Sequence, residues 1–208
     1  MHFKGKSFKD LFDENYTAVE VPAGNRKGYR IAYCYSGPWY IWDMPKEKLR
    51  REKWLEFGLS LLGIGLYLLT GSRRAAVNVS GPGVVSAVLA LCIHVLEFSA
   101  LIKFICAGHR TTKMTYQEVD RILGAATGLR GILLSGTAVT ALVYAVRDGM
   151  WSTALLTAAG YLSCAATAFL IHFRYKKIPF YSEKNTSLEG KKVITKEEKA
   201  AAADKYKC

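Results

Sequence analysis

Four long apolar stretches lie between residue 54 and residue 173, in a chain whose two ends are polar and charged. They run over about 54–71, 84–108, 129–146 and 151–173. Each is near the roughly 20 residues needed to cross a 30 Å hydrocarbon core. A segment in lipid must pair every backbone N–H and C=O without water, so the stretches are expected to be helices. The expected fold is an all-α membrane protein, a four-transmembrane-helix bundle with a small N-terminal cytosolic β-meander.

The sequence divides accordingly into three parts. A cytosolic N-terminal segment covers 1–53, the bundle covers 54–173, and a charged cytosolic tail covers 174–208. Residues 1–16 contain no apolar core of a cleavable signal, so the first span is expected to direct insertion. Residues 1–15 are polar and are expected to start as a short helix.

The run YRIAYCY alternates in period two and reads as a strand. YTAVEV before it and WYIW after it are rich in β-branched and aromatic residues. Turns are expected at Gly24, Asn25 and Gly28, and again at Ser36, Gly37 and Pro38. So small a sheet is marginal alone and must lean on the bundle, another copy or another protein. Trp39 and Trp42 are expected to pack it against the bundle, while Trp54 and Trp151 fit an interfacial aromatic belt.

The formal net charge of the 208-residue chain is +12. No nucleic-acid motif accompanies it, so no nucleic-acid partner is expected. The basic residues instead flank the spans. Lys46, Lys48, Arg50, Arg51, Lys53, Arg110, Lys113, Arg121, Arg174, Lys176 and Lys177 fall on one side, against Arg73, Arg74 and Arg147 on the other. This bias puts both termini and the middle loop in the cytosol. A plasma membrane is expected, and a bacterial inner membrane in particular, from small size and minimal loops.

Five cysteines, at 34, 92, 106, 164 and 208, show no C-x-x-C spacing, and no disulfide is expected. Cys208 is not placed as a C-a-a-X prenylation site. In the middle loop Thr115 and Glu118 fit a capping box opening a short cytosolic helix that runs from Tyr116 into the start of the third span. Asn78-Val79-Ser80 is a formal glycosylation sequon too near the membrane to carry weight. The tail is expected either to be flexible or to form an exposed helix over TKEEKAAAADKYK, which alanine and the acid-before-Lys spacings favour but no apolar face anchors.

Span two carries His94 and Glu97 near its middle, three apart and so on one face with Ser86, Ala90 and Leu101. An ionisable group there costs at least about 2.5 kcal/mol and calls for a partner or a water-filled path. Unless they pair as ions, both are expected to be neutral. Two readings follow: a proton- or cation-handling site drawn from Glu97, His94, Thr137 and Tyr161, or an interhelical clasp to Ser60, Thr137, Thr140, Tyr161 or Ser163. Lys103, on another face, is expected to snorkel to the headgroups. Cys106, His109 and His172 are weak candidates for a metal or haem site, which the pattern does not otherwise support. No cofactor is expected.

Small residues repeat at four in Gly124/Gly128, Gly131/Ser135, Gly136/Thr140 and Gly160/Cys164/Ala168, which permits close helix approach. There is no Walker loop, dinucleotide fingerprint, H-E-x-x-H or nucleophile elbow, so enzymatic activity is not expected. The first expectation for function is a subunit or oligomerising interaction module of a membrane complex. Its partners are the bilayer and either itself or another membrane-protein subunit, docking from the cytosolic side. The rival is a small proton- or cation-linked transporter or channel using Glu97 and His94.

Overall fold

The computed structural model describes residues 14–22, 24 and 29–186. The expected N-terminal helix, apart from Glu14 and Asn15, lies outside the described residues, as do the turn at Asn25 and Gly28, the TKEEKAAAADKYK helix and Cys208.

In chain order the elements are β1 (Tyr16–Pro22), β2 (Tyr29–Tyr35), β3 (Trp39–Trp42), α1 (Lys46–Gly71), α2 (Ala76–Val79), α3 (Gly81–Cys106), β4 (Arg110–Thr112), α4 (Lys113–Asp148), α5 (Trp151–Lys176) and β5 (Phe180–Glu183). The described residues fall into two compact units: those up to 41 together with 110–114 and 181–186, and 42–109 together with 115–180.

In the first unit β1 and β2 pair antiparallel, from Tyr16 opposite Tyr35 to Pro22 opposite Tyr29. The third strand does not extend this hairpin into a meander. Pro38 has no N–H to give a ladder, and its carbonyl accepts from Tyr35 Oη at 2.7 Å. β3 pairs instead with β4, Trp39 opposite Thr112, in a sheet of order β4-β3-β5. Trp39 packs on Tyr35 and under the Arg110 guanidinium. Trp42 belongs to the helical unit, where its ring meets Phe104, Tyr116 and Tyr175.

The helical unit has four helices long and apolar enough to cross a membrane: α1, α3, α4 and α5. Their outward faces expose large apolar side chains such as Leu62, Leu69, Val95, Ile132, Val143 and Leu156. Their inward faces carry buried Glu56, Ser60, Thr70, Glu97, Arg130 and Thr137. A chain solvated by lipid sorts its side chains this way, because the outer surface needs no water and the polar groups must find each other. The chain is thus a multi-pass membrane protein.

Local chemistry sets the helix ends. Ser80 caps α3, its Oγ accepting the Gly83 N–H at 3.2 Å, with a proline in the first turn. A Cβ at Gly83 would stand 1.9 Å from the Val77 carbonyl oxygen, a backbone atom that cannot swing aside. Gly83→Ala is therefore expected to destabilise by about 1–3 kcal/mol, read from thermal unfolding in detergent. Asn78 closes the other side of this turn. Its amide donates to the carbonyls of Thr70 (2.9 Å), Gly71 (3.3 Å) and Arg73 (3.0 Å), so the sequon nitrogen has a structural task. Lys53 donates to the Ala107 carbonyl at 2.5 Å, satisfying the end of α3. α4 stops at Gly149, which takes φ 72°.

α4 corrects an expectation. The helix expected from Tyr116 does run on into the third span, but Thr115 is not its N-cap. One helix runs from Lys113 for 36 residues, longer than a bilayer core requires. Tyr35 Oη accepts the Lys113 N–H at 2.8 Å, which starts the helix three residues early. Glu118 pairs with Lys103 instead of reaching back to a cap, so Lys103 is held by an ion pair as well as by its position.

α1 and α5 approach most closely at glycines. A Cβ at Gly160 would meet Thr70 Oγ1 at 2.3 Å, and one at Gly63 would meet Thr167 Oγ1 at 2.7 Å. Cys164 and Ala168 are buried and Gly160, on the same face, is half-buried against α1, so that small-residue row is used inside the protein. The rows of α4 divide. Gly128 faces His172 and Gly131 faces the Phe169 ring, while Gly124 and Gly136 face open space.

Candidate functional site

The α3 face bearing Ala90, His94, Glu97 and Leu101 is buried throughout. Opposite it α1 presents Glu56, Ser60 and Gly63, spaced four and then three apart, and α4 presents Arg130. Glu56, Ser60 and Glu97 are 0 % exposed and Arg130 is 1 % exposed.

The contacts close a ring. Ser60 Oγ lies 3.2 Å from His94 Nε2 and 3.3 Å from Glu97 Oε1. Arg130 Nη1 meets His94 Nδ1, and Arg130 Nε lies 3.1 Å from Glu97 Oε2. That last contact is an ion pair by distance whose N–H is not aimed along the line to the oxygen. A guanidinium can only donate, which assigns His94 Nδ1 as an acceptor and puts the ring proton on Nε2. Nε2–H then donates to Ser60 Oγ, and the Ser60 hydroxyl donates to Glu97. His94 is neutral in this arrangement, and Glu97 has the ionic partner that its depth demands. Gly63 makes room for the guanidinium, since a Cβ there would lie 3.4 Å from Arg130 Nη1.

Glu56 stands one helical turn before Ser60, and neither of its carboxyl oxygens has a hydrogen-bond partner. One turn earlier Glu52 binds Arg174 Nη2 at 2.5 Å. Together Glu56, Glu97 and Arg130 hold two acids against one fixed cation. Burying a second carboxylate without a partner costs several kcal/mol, so electroneutrality here takes one proton or one cation.

Sequence patterning does not single out Arg130 or Glu56. Both stand within three residues of the start of an apolar stretch, where a charged side chain can reach the headgroups. The helices, however, begin at Lys46 and Lys113, well before those stretches. The available signal was periodicity: Thr127, Arg130, Leu134 and Thr137 share one face of α4, as Glu56, Ser60 and Gly63 do on α1.

Of the other expected site residues, Ser60 joins the ring. Thr137 Oγ1 bonds Ser86 Oγ at 2.7 Å, and Tyr161 Oη donates to Asn78 Oδ1 at 2.7 Å, so both serve other contacts. Thr140 and Ser163 donate to carbonyls of their own helices. Cys106 is exposed, His109 contacts the Met44 carbonyl, and His172 contacts Thr127 Oγ1. Among the described residues, no group of three or more His, Cys, Asp and Glu side chains is placed to hold a metal ion. Compared with known proteins, the chain matches no family model, no curated protein and no solved structure.

Proposed function

We propose that the protein moves protons or small cations across a plasma membrane, with the charged cluster of α1, α3 and α4 as its coupling site. The observation that carries this reading is Glu56, a fully buried carboxyl with no hydrogen-bond partner beside a cluster that already contains an ion pair. Helix association alone does not account for it. Neutral polar or apolar side chains hold helices together as well, and a buried ion pair is often no better than its apolar replacement.

The path begins at a groove of about 260 Å³ lined by Lys48, Glu52, Arg174 and Lys177. Glu52, Glu56 and Ser60 then follow at four-residue steps, about 6 Å of rise each, a gap that one water bridges. The ring of Ser60, His94, Glu97 and Arg130 receives the proton on the Glu97 carboxylate, whose negative charge Arg130 otherwise balances. Beyond it the interior polar groups are neutral: Ser86, Thr137, Tyr67, Tyr161 and Asn78. Both termini lie in the cytosol, as the flanking basic residues favour, so the groove faces the cytosol.

Reconstituted vesicles with an imposed membrane potential and an internal pH dye test this. Wild type is expected to carry flux, and Glu56→Gln to abolish it while leaving thermal stability unchanged, since that carboxyl has no bond to lose. Glu97→Gln is expected to abolish flux and leave assembly intact. Absence of proton, sodium and potassium flux in wild type would refute the reading.

A second reading is an interaction subunit of a larger membrane complex. Gly58, Gly65 and Gly136 favour it, because they face open space on the apolar exterior, where a helix of another chain or copy can approach closely. Stoichiometric co-purification of another membrane polypeptide, with assembly lost in Gly58→Leu, is its expected signature.

A further inference from the structure

We propose that the groove between the start of α1 and the end of α3 binds the headgroup of an anionic phospholipid. It has a volume of about 380 Å³. Lys46, Arg50 and Lys53 line it from one face of α1, spaced four and three apart, and His109 lines it from beyond α3. Its lining contains no acidic residue.

The three cations differ in how they are held. Lys53 is buried, fixed by the Ala107 carbonyl at 2.5 Å and by the Phe104 ring, whose centroid is 4.9 Å away. Lys46 and Arg50 are exposed, and among the described residues no carboxylate pairs with either. Two exposed cations and one fixed one around a cavity suit a phosphodiester.

The apolar part of the lining selects a lipid over a free anion. Leu49, Trp54 and Ile105 share the groove with the cations, so charge and hydrocarbon meet in one site. Trp54 is 58 % exposed at the polar end of an apolar helix, the level of the headgroups. Acyl chains leaving the groove there run along the exposed leucines and valines of α1 and α3. Basic pockets between helix ends on the cytosolic side suit acidic headgroups, each nearby Lys or Arg adding affinity. The neighbouring groove of Lys48, Arg174 and Lys177 is a natural contrast, because Glu52 lines it and already neutralises Arg174.

Native mass spectrometry of the detergent-purified protein, with phosphatidylglycerol and phosphatidylcholine added in equal amounts, tests this. Retention of phosphatidylglycerol over phosphatidylcholine is expected. Lys46→Gln with Arg50→Gln is expected to weaken that retention roughly fivefold per charge removed. Lys48→Gln with Lys177→Gln is expected to leave it unchanged. Equal retention of the two lipids overturns the proposal. So does full displacement by inorganic phosphate, which marks a simple anion site. An equal loss in the control variant overturns it too, because it marks general attraction to a basic surface.

Discussion

Arg130→Met is expected to destabilise the protein by about 3–5 kcal/mol, because it strips a buried cluster of its counter-charge. Among the described residues the guanidinium is the only cation in contact with the Ser60–His94–Glu97 cluster, and it meets Glu97 and His94 together. Its removal leaves Glu97 without a counter-ion and His94 Nδ1 without a donor, beside a Glu56 that already has no hydrogen-bond partner. Uncompensated buried charge dominates the penalty, so removing the charge should relieve it. The double variant Arg130→Met/Glu97→Leu is expected to recover most of the lost stability. Thermal unfolding in one detergent compares the three proteins. If the double variant is as unstable as the single one, packing rather than charge sets the effect, and the electrostatic account of the cluster fails.

Gly160→Leu is expected to cost about 1–3 kcal/mol or more and to push α1 away from α5. Even the first added carbon would lie 2.3 Å from Thr70 Oγ1 and 2.8 Å from Thr70 Cγ2. Thr70 cannot rotate freely out of the way, since its hydroxyl donates to the Leu66 carbonyl at 2.8 Å and its backbone carbonyl accepts from Asn78. Gly136→Leu is the matched control, because that glycine faces open space. The same unfolding measurement should show little change there. Equal losses at the two positions would mean that added side-chain bulk anywhere on the helices, rather than close approach to Thr70, sets the effect, since helix propensity favours leucine over glycine.

Hydropathy and period carried much of the architecture. The apolar stretches lie within the long helices save for two residues past the end of α3, and the three-residue spacing of His94 and Glu97 marks the inward face of α3. Ser60 was among the partners weighed for that pair. Arg130 and Glu56 were obscured by a different cause. Hydropathy marks where apolar residues begin, whereas helices begin where the backbone finds a cap. The Tyr35 hydroxyl that opens α4 belongs to a residue 78 positions earlier in the chain, a tertiary contact no local pattern encodes. The hairpin of β1 and β2 is legible in the sequence, but the partners of β3 are not, for a similar reason. β4 has three residues and β5 four, too short to show alternation, and their partner β3 lies across one or more spans in the sequence.

That pairing constrains the order of biogenesis. β3 leaves the ribosome before any span is made, β4 after two of them and β5 after all four. The three-stranded sheet is therefore complete only when the last helix has been threaded into the bilayer. Until then β3 carries unpaired backbone groups that a chaperone or protease can read. Closure of its final ladder therefore reports that all four long helices have been made.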